Sequence, residues 1–212
     1  MSGITRGLFR LMHRIVFKEI GSRIRTDALK NLTDLIYSLF EKISFQIPIL
    51  VSIYMSLYDD AIEKEIKIAD IKKDDEVLVI GCGALPATPV LIAKRVNANV
   101  TCIDHDITVI KKAEDFIRSM DLSDKVTVKH AEASEYPLDG FSVILIVYGV
   151  KKPETVMRHV AEHSDKNTRI LLRATINNKN EISVNIPENL EVKNKIRLDS
   201  LGSVDSLLLT KR

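Results

Sequence analysis

The apolar positions of this chain follow two rhythms. Up to about residue 67 they recur every three or four residues, as on one face of a helix. Ile4, Leu8, Leu11, Met12 and Ile15 make one stripe, and Leu29, Leu32, Ile36, Leu39 and Ile43 a second. Pro48 divides these from a further helical stretch around Tyr54 to Ile66. From residue 75 the pattern changes to short apolar runs rich in β-branched residues, with helical stretches between them. Strands are predicted at EVLVI, NVTCID, KVTVKHAE, FSVILIVYG and RILLRATI, and helices at PVLIAKRV, ITVIKKAEDFIRSM and ETVMRHVAEHS. Apolar strands alternating with helices make a parallel sheet covered on both faces. The last two strands, LEVKNKIRL and SLLLTKR, are joined by a short glycine-containing loop with no room for a helix. They therefore form a terminal antiparallel hairpin.

A mostly parallel, seven-stranded sheet finished by such a hairpin is the layout of the Rossmann-like class I methyltransferase fold. The expected class is α/β, with residues 1–70 an N-terminal helical region and residues 71–212 the Rossmann-like domain. A chain of 212 residues, 45% hydrophobic, suits one core with an appendage. The N-terminal helices would form a cover and a wall of the substrate pocket, a packing layer, or the contact of a homodimer.

Charge and cysteine content narrow the setting. Residues 1–30 carry Arg6, Arg10, Arg14, Lys18, Arg23, Arg25 and Lys30 against Glu19 and Asp27, a net of +5 within a chain of net +2. Such charge is the solvated face of an amphipathic helix more often than a nucleic-acid site, so a nucleic-acid partner is not expected. Cys82 and Cys102 make neither a disulfide framework nor a metal spacing. No secretory signal or membrane-length apolar run is read, and the chain is expected to be cytoplasmic.

The stretch VLVIGCGALPATPVLIA, 77–93, carries the candidate chemistry. It opens like a dinucleotide loop, Gly81-x-Gly83, and then Pro86 stands near where a third glycine would be. Thr88 and Pro89 read as the cap and first residue of the following helix, which leaves 81–87 as a longer, proline-stiffened loop suited to a compact ligand. The loop follows the first strand, at the sheet end where such folds bind ligands. Asp104, at the tip of the second strand, can accept both hydroxyls of a ribose, with His105 beside it. Glu132 and Ala133 follow the third strand, where S-adenosylmethionine (AdoMet) enzymes place an acidic–small pair against adenine. Gly81, Cys82, Gly83, Leu85, Thr88, Asp104, His105, Glu132, Ala133 and Tyr148 are the candidate AdoMet-binding residues.

The same loop resembles the Gly-x-Gly-Pro-Leu-Pro-x-Thr segment of nicotianamine synthases. Gly81, Gly83, Leu85, Pro86 and Thr88 match it, and Ala84 replaces its first proline. Leu172, Arg173 and Ala174 are similar to that family's Leu-Arg-Ser-Ala segment. Tyr54 and Leu57 are similar to its Asn-Tyr-x-x-Leu segment, with Ile53 in place of the asparagine. The resemblance spans roughly residues 50–180. It implies a class I methyltransferase fold, a catalytic role for Tyr54, and transfer of the 3-amino-3-carboxypropyl arm of AdoMet to an amine. Glu41 and Glu63 are candidates for the family's catalytic glutamate.

Three readings of function follow. Methyl transfer to a small polar or amine-containing molecule is the commoner reaction of the fold and is placed first. Arm transfer to an amine is the alternative, and a non-catalytic AdoMet-binding or scaffolding protein is the third. In either reaction the sulfonium is already a good leaving group, so the protein chiefly aligns and desolvates. Tyr54 and Tyr148 are the candidate catalytic residues, Tyr148 because it ends the fourth strand; Asp59 and Asp60 could attract a cationic substrate. HVAEH at 159–163 has the spacing of an inverted zinc-peptidase motif, but it falls on a helix joining two strands and has no further ligand, so no metal is expected. Cys82 has no histidine partner to activate it.

Overall fold

The computed structural model describes residues 48–176, 182–201 and 204–212. The two N-terminal helical stripes, Glu41 and the proposed cover or dimer contact lie outside the described residues. Elements follow in the order α1 (Pro48–Ala69), β1 (Glu76–Ile80), α2 (Ala87–Val96), β2 (Asn99–Asp104), α3 (Ile107–Ser119), β3 (Val126–His130), β4 (Val143–Ile146), α4 (Pro153–His163), β5 (Arg169–Thr175), β6 (Leu190–Leu198), a 3-10 turn (Asp199–Leu201) and β7 (Val204–Lys211).

The seven strands form one sheet in the order β3-β2-β1-β4-β5-β7-β6. β1 to β5 are parallel; β7 runs antiparallel between β5 and β6. The expected hairpin is therefore present, and the chain belongs to the class I methyltransferase fold in its strand order. The order reverses between β1 and β4, the kind of switch point beyond whose strand ends sheets of this class bind ligands.

Alternation along β1 sorts the core into two layers. Val77 and Val79 pack with Ile62 of α1, Val90 of α2 and Phe116 of α3 on one face. Leu78 and Ile80 pack with Val156, Met157 and Val160 of α4 on the other. Successive strand residues point to opposite faces, so a strand covered on both sides must be apolar throughout, as EVLVI is after its first residue. Helix α1 is thus a layer of the sheet's own core: Val51, Tyr54, Ile62 and Ala69 are buried in it. Its C-terminal end is tied to β5 by Arg169, whose Nη1 donates to the carbonyls of Ala69 (2.8 Å) and Asp70 (2.7 Å) and whose Nη2 pairs with Asp75.

Candidate functional site

The loop between β1 and α2 turns on its two glycines. Gly81 has φ +89° and Gly83 φ +63°, angles that side chains disfavour. The N–H groups of Gly81 and Cys82 both donate to the carbonyl of Ile103, at 2.9 and 3.3 Å, which folds the loop over β2. The N–H of Gly83 donates to Asp104 Oδ2 at 2.9 Å. The other oxygen, Oδ1, accepts the N–H of Asp106 at 3.0 Å, and Asp106 in turn caps α3 by accepting from the N–H of Thr108 at 3.0 Å. One buried carboxylate therefore sets both the glycine loop and the start of the next helix.

The tip of β3 joins the same edge. The N–H of Ala131 donates to the carbonyl of Asp104 at 3.0 Å, so exposed Glu132 and half-buried Ala133 follow directly. His105 Nδ1 lies 3.2 Å from Asp104 Oδ1, and its carbonyl is 3.0 Å from His130 Nε2. Gly81, Cys82, Gly83, Asp104, His105, Glu132 and Ala133 thus lie at one end of three adjacent strands. A Cβ built on Gly83 would meet no atom within 4 Å, so its backbone borders open space.

Leu85 and Thr88 face inward. Leu85 belongs to the core and Thr88 is buried. The helix begins at Ala87, with Pro86 at the cap position, rather than after Thr88. The carbonyl of Pro86 accepts the N–H of Val90, and Pro89 falls in the first turn, where its missing N–H costs no helical bond. Thr88 does not cap because its hydroxyl accepts from Arg173 Nη1 at 3.1 Å.

The two tyrosines are differently placed. Tyr54 is buried, its ring centroid 5.2 Å from that of Tyr58, and its hydroxyl donates to the carbonyl of Leu85 at 2.8 Å. Burial, reinforced by Tyr58, pushes its pKa well above the usual tyrosine value, so the hydroxyl stays protonated. Tyr148 is 40% exposed, at the rim of a cavity of about 220 Å³ whose lining includes Val147, Gly149, Arg173 and Ser183.

The other candidates are engaged elsewhere. Glu63 pairs with Lys67 (2.7 Å) and Arg95 (3.6 Å) on the outer side of α1. Asp59 pairs with Arg95 and Asp60 with Lys64. His159 Nε2 lies 2.8 Å from the carbonyl of Tyr136, and His163 Nδ1 lies 3.0 Å from that of His159. The Cys82 thiol is raised far above its ordinary pKa by a hydrogen bond with Cys102 and by burial, which makes it a poor nucleophile.

Sequence reasoning passed over Glu65. It is fully buried on α1 and forms a bidentate pair with Arg173 of β5: Nε to Oε1 at 2.9 Å and Nη2 to Oε2 at 2.7 Å. Its signal was its phase. Tyr54, Tyr58, Ala61, Glu65 and Ala69 fall on one helical stripe, and a carboxylate on a buried face needs a partner.

No protein-family model matches the chain. Among curated proteins it is similar to L-histidine 2-aminobutanoyltransferase of Yersinia pestis, 24% identical over 122 residues, covering 57% of this chain and 45% of the relative. It is also similar to the enzyme of the same name from Pseudomonas aeruginosa, 24% identical over 155 residues, covering 73% and 59%. The chain therefore spans about half the length of the curated relatives it matches. Among solved structures, MtNAS, a nicotianamine synthase, in complex with MTA and tNA superposes with a TM-score of 0.73 at 16% identity, over 100% of this chain and 90% of that one. A mutant of MtNAS in complex with S-adenosylmethionine gives 0.74 at 17%, over 94% and 82%. An RNA methyltransferase from Salinibacter ruber with S-adenosyl-L-homocysteine gives 0.58 at 13%, over 72% and 90%. At these identities the structural likeness speaks for the fold.

Proposed function

We propose that this chain is an AdoMet-dependent transferase that moves the 3-amino-3-carboxypropyl arm to the amine of a small molecule, with an amino acid as the acceptor class. The observation that carries this reading is the seat of Tyr54. The tyrosine matching the synthases' catalytic segment lies on the glycine loop itself, hydrogen-bonded to Leu85. Two things support it further. The curated relatives bear the name of an aminobutanoyltransferase. The likeness to MtNAS runs over 94–100% of the chain, α1 included, where that to the RNA methyltransferase covers 72%. The transferase class expected from the sequence stands, and within it the weight moves from methyl transfer to its alternative. The free thiols of Cys82 and Cys102 fit a reducing, cytoplasmic setting.

The residues fit AdoMet. Each oxygen of Asp104 gives one lone pair to a backbone N–H and keeps capacity for a ribose hydroxyl. The open backbone at Gly83 admits close approach, and Glu132 and Ala133 border the adenine end. Bound there, AdoMet supplies a sulfonium whose carbons are open to an amine. Tyr54, kept protonated, spends its one O–H on the carbonyl of Leu85 and so braces the glycine loop, leaving only its oxygen lone pairs to accept from the amine; it does not take the amine's proton as a phenolate. Tyr148 and the cavity beside it offer the acceptor a wall.

Incubation with AdoMet and candidate amines, L-histidine among them, should release methylthioadenosine. S-adenosylhomocysteine would mean methyl transfer, and AdoMet binding without either product would leave the binding module. Asp104→Ala should weaken AdoMet binding at least tenfold, about 1.4 kcal/mol, because it removes charged hydrogen bonds and unties the Gly83 N–H. Titration calorimetry reads this directly, and an unchanged affinity would take Asp104 out of the site.

A further inference from the structure

The buried Glu65–Arg173 pair is not explained by the chemistry above, and stability does not explain it either. Desolvating two charges offsets most of their attraction, and well-packed apolar residues of similar volume often hold such elements together about as well. What an arginine adds is direction. Its planar fork grips Glu65 with Nε and Nη2, and its Nη1 points a third way, to Thr88 Oγ1 at 3.1 Å.

Those contacts join three elements: Glu65 is on α1, Arg173 on β5, and Thr88 in the first turn of α2, where the glycine loop ends. Helix α1 also touches that loop directly, through Tyr54 and Leu85. Glu65 lies about three helical turns beyond Tyr54 and so shares its face. A helix held at two points three turns apart cannot roll about its axis without breaking one of them. Both points bear on the same short segment, Leu85 to Thr88, between the cofactor loop and its helix.

We propose that Glu65 and Arg173 are positioning residues for the transfer: acting through Thr88, they fix the roll of α1 and the start of α2, and so hold the Tyr54 hydroxyl and the glycine loop in their working geometry. This rests on the role given to Tyr54 above. A misplacement of about 1 Å in a positioned group can cost up to a hundredfold in rate.

Thr88→Val tests it, because valine keeps the shape and the ion pair while removing the oxygen that Arg173 Nη1 reaches. The expected result is a protein that still folds, with a modestly lowered melting temperature because one buried guanidinium N–H loses its acceptor, a kcat at saturating AdoMet lowered about tenfold, and faster hydrogen exchange over residues 81–90. Thr88→Ser, which restores the oxygen, should recover most of the loss. Arg173→Lys keeps a cation beside Glu65 but cannot span Glu65 and Thr88 together, and should show the same two defects; should it fail to fold, Thr88→Val decides. Parent kcat and parent exchange in a folded Thr88→Val protein would overturn the proposal. If the parent protein releases no methylthioadenosine, the functional reading falls by itself. Exchange over 81–90 and AdoMet affinity then still decide on positioning, and no change in either overturns it.

Discussion

Gly81→Ala should lose about 2–6 kcal/mol of folding stability and bring AdoMet binding below detection. Two penalties act at this position. With φ at +89°, any side chain is held in a sparsely populated backbone region, a cost of roughly 1–3 kcal/mol. A Cβ would also come within 2.8 Å of Val147 Cγ2 and 2.9 Å of Val150 Cγ2, so the segment after β4 would have to move, at roughly 1–3 kcal/mol more. That segment carries Tyr148 and borders the cavity, so relief of the clash would disturb both the loop and the proposed acceptor wall. Gly83→Ala is the informative contrast. Its φ of +63° costs roughly 1–2 kcal/mol, but its Cβ meets nothing in the protein. It should fold with a modestly lowered midpoint yet bind AdoMet poorly, because the methyl group occupies the space the ligand needs. Denaturant titration and calorimetry on the two variants separate the effects. Equal midpoints for both would show that Val147 and Val150 yield without cost.

The sheet was legible in the sequence because its cause is local. A central strand buried on both faces has to be apolar at every position, and EVLVI and VILI carry that mark without help from tertiary structure. Asp104 was legible for a related reason: a carboxylate closing an apolar strand sits at the strand's tip, where ligands bind. Its second task, receiving the Gly83 N–H, depends on a loop conformation that no spacing encodes. Thr88 misled because Thr-Pro before an apolar run is a good helix start in isolation. Arg173, 85 residues later, claims the hydroxyl, and the helix starts two residues earlier, at Ala87 instead of Pro89. Glu63 and Glu65 divide on phase alone. Two positions apart on α1, one meets Lys67 and Arg95 at the surface and the other meets Arg173 inside. A search of the stripe for a charge of the wrong kind would have found Glu65, and Arg173 within RILLRATI was the complementary anomaly.

Glu65→Ala should destabilise the fold by about 3–5 kcal/mol, since it leaves the guanidinium of Arg173 buried without its counter-charge. Arg173 is charged in the native protein despite burial: loss of hydration pulls its pKa down, but the field of Glu65, its hydrogen bonds and smaller contributions from nearby groups together turn the shift upward. Remove Glu65 and only the Thr88 hydroxyl, a neutral acceptor, remains of the bonds described. The double variant Glu65→Leu, Arg173→Met removes both charges and fills the space, and should regain most of the lost stability or exceed the parent. Denaturant midpoints of the parent, the two single variants and the double variant give the coupling directly. A double variant no more stable than Glu65→Ala would assign the cost to packing around α1 instead of to charge. If the double variant is as stable as the parent yet turns over slowly, with fast exchange across the glycine loop, then stability and activity have parted at this pair. That is the behaviour of a pair retained for the direction of its bonds, because leucine and methionine can hold α1 on β5 but neither can reach Thr88 with a hydrogen.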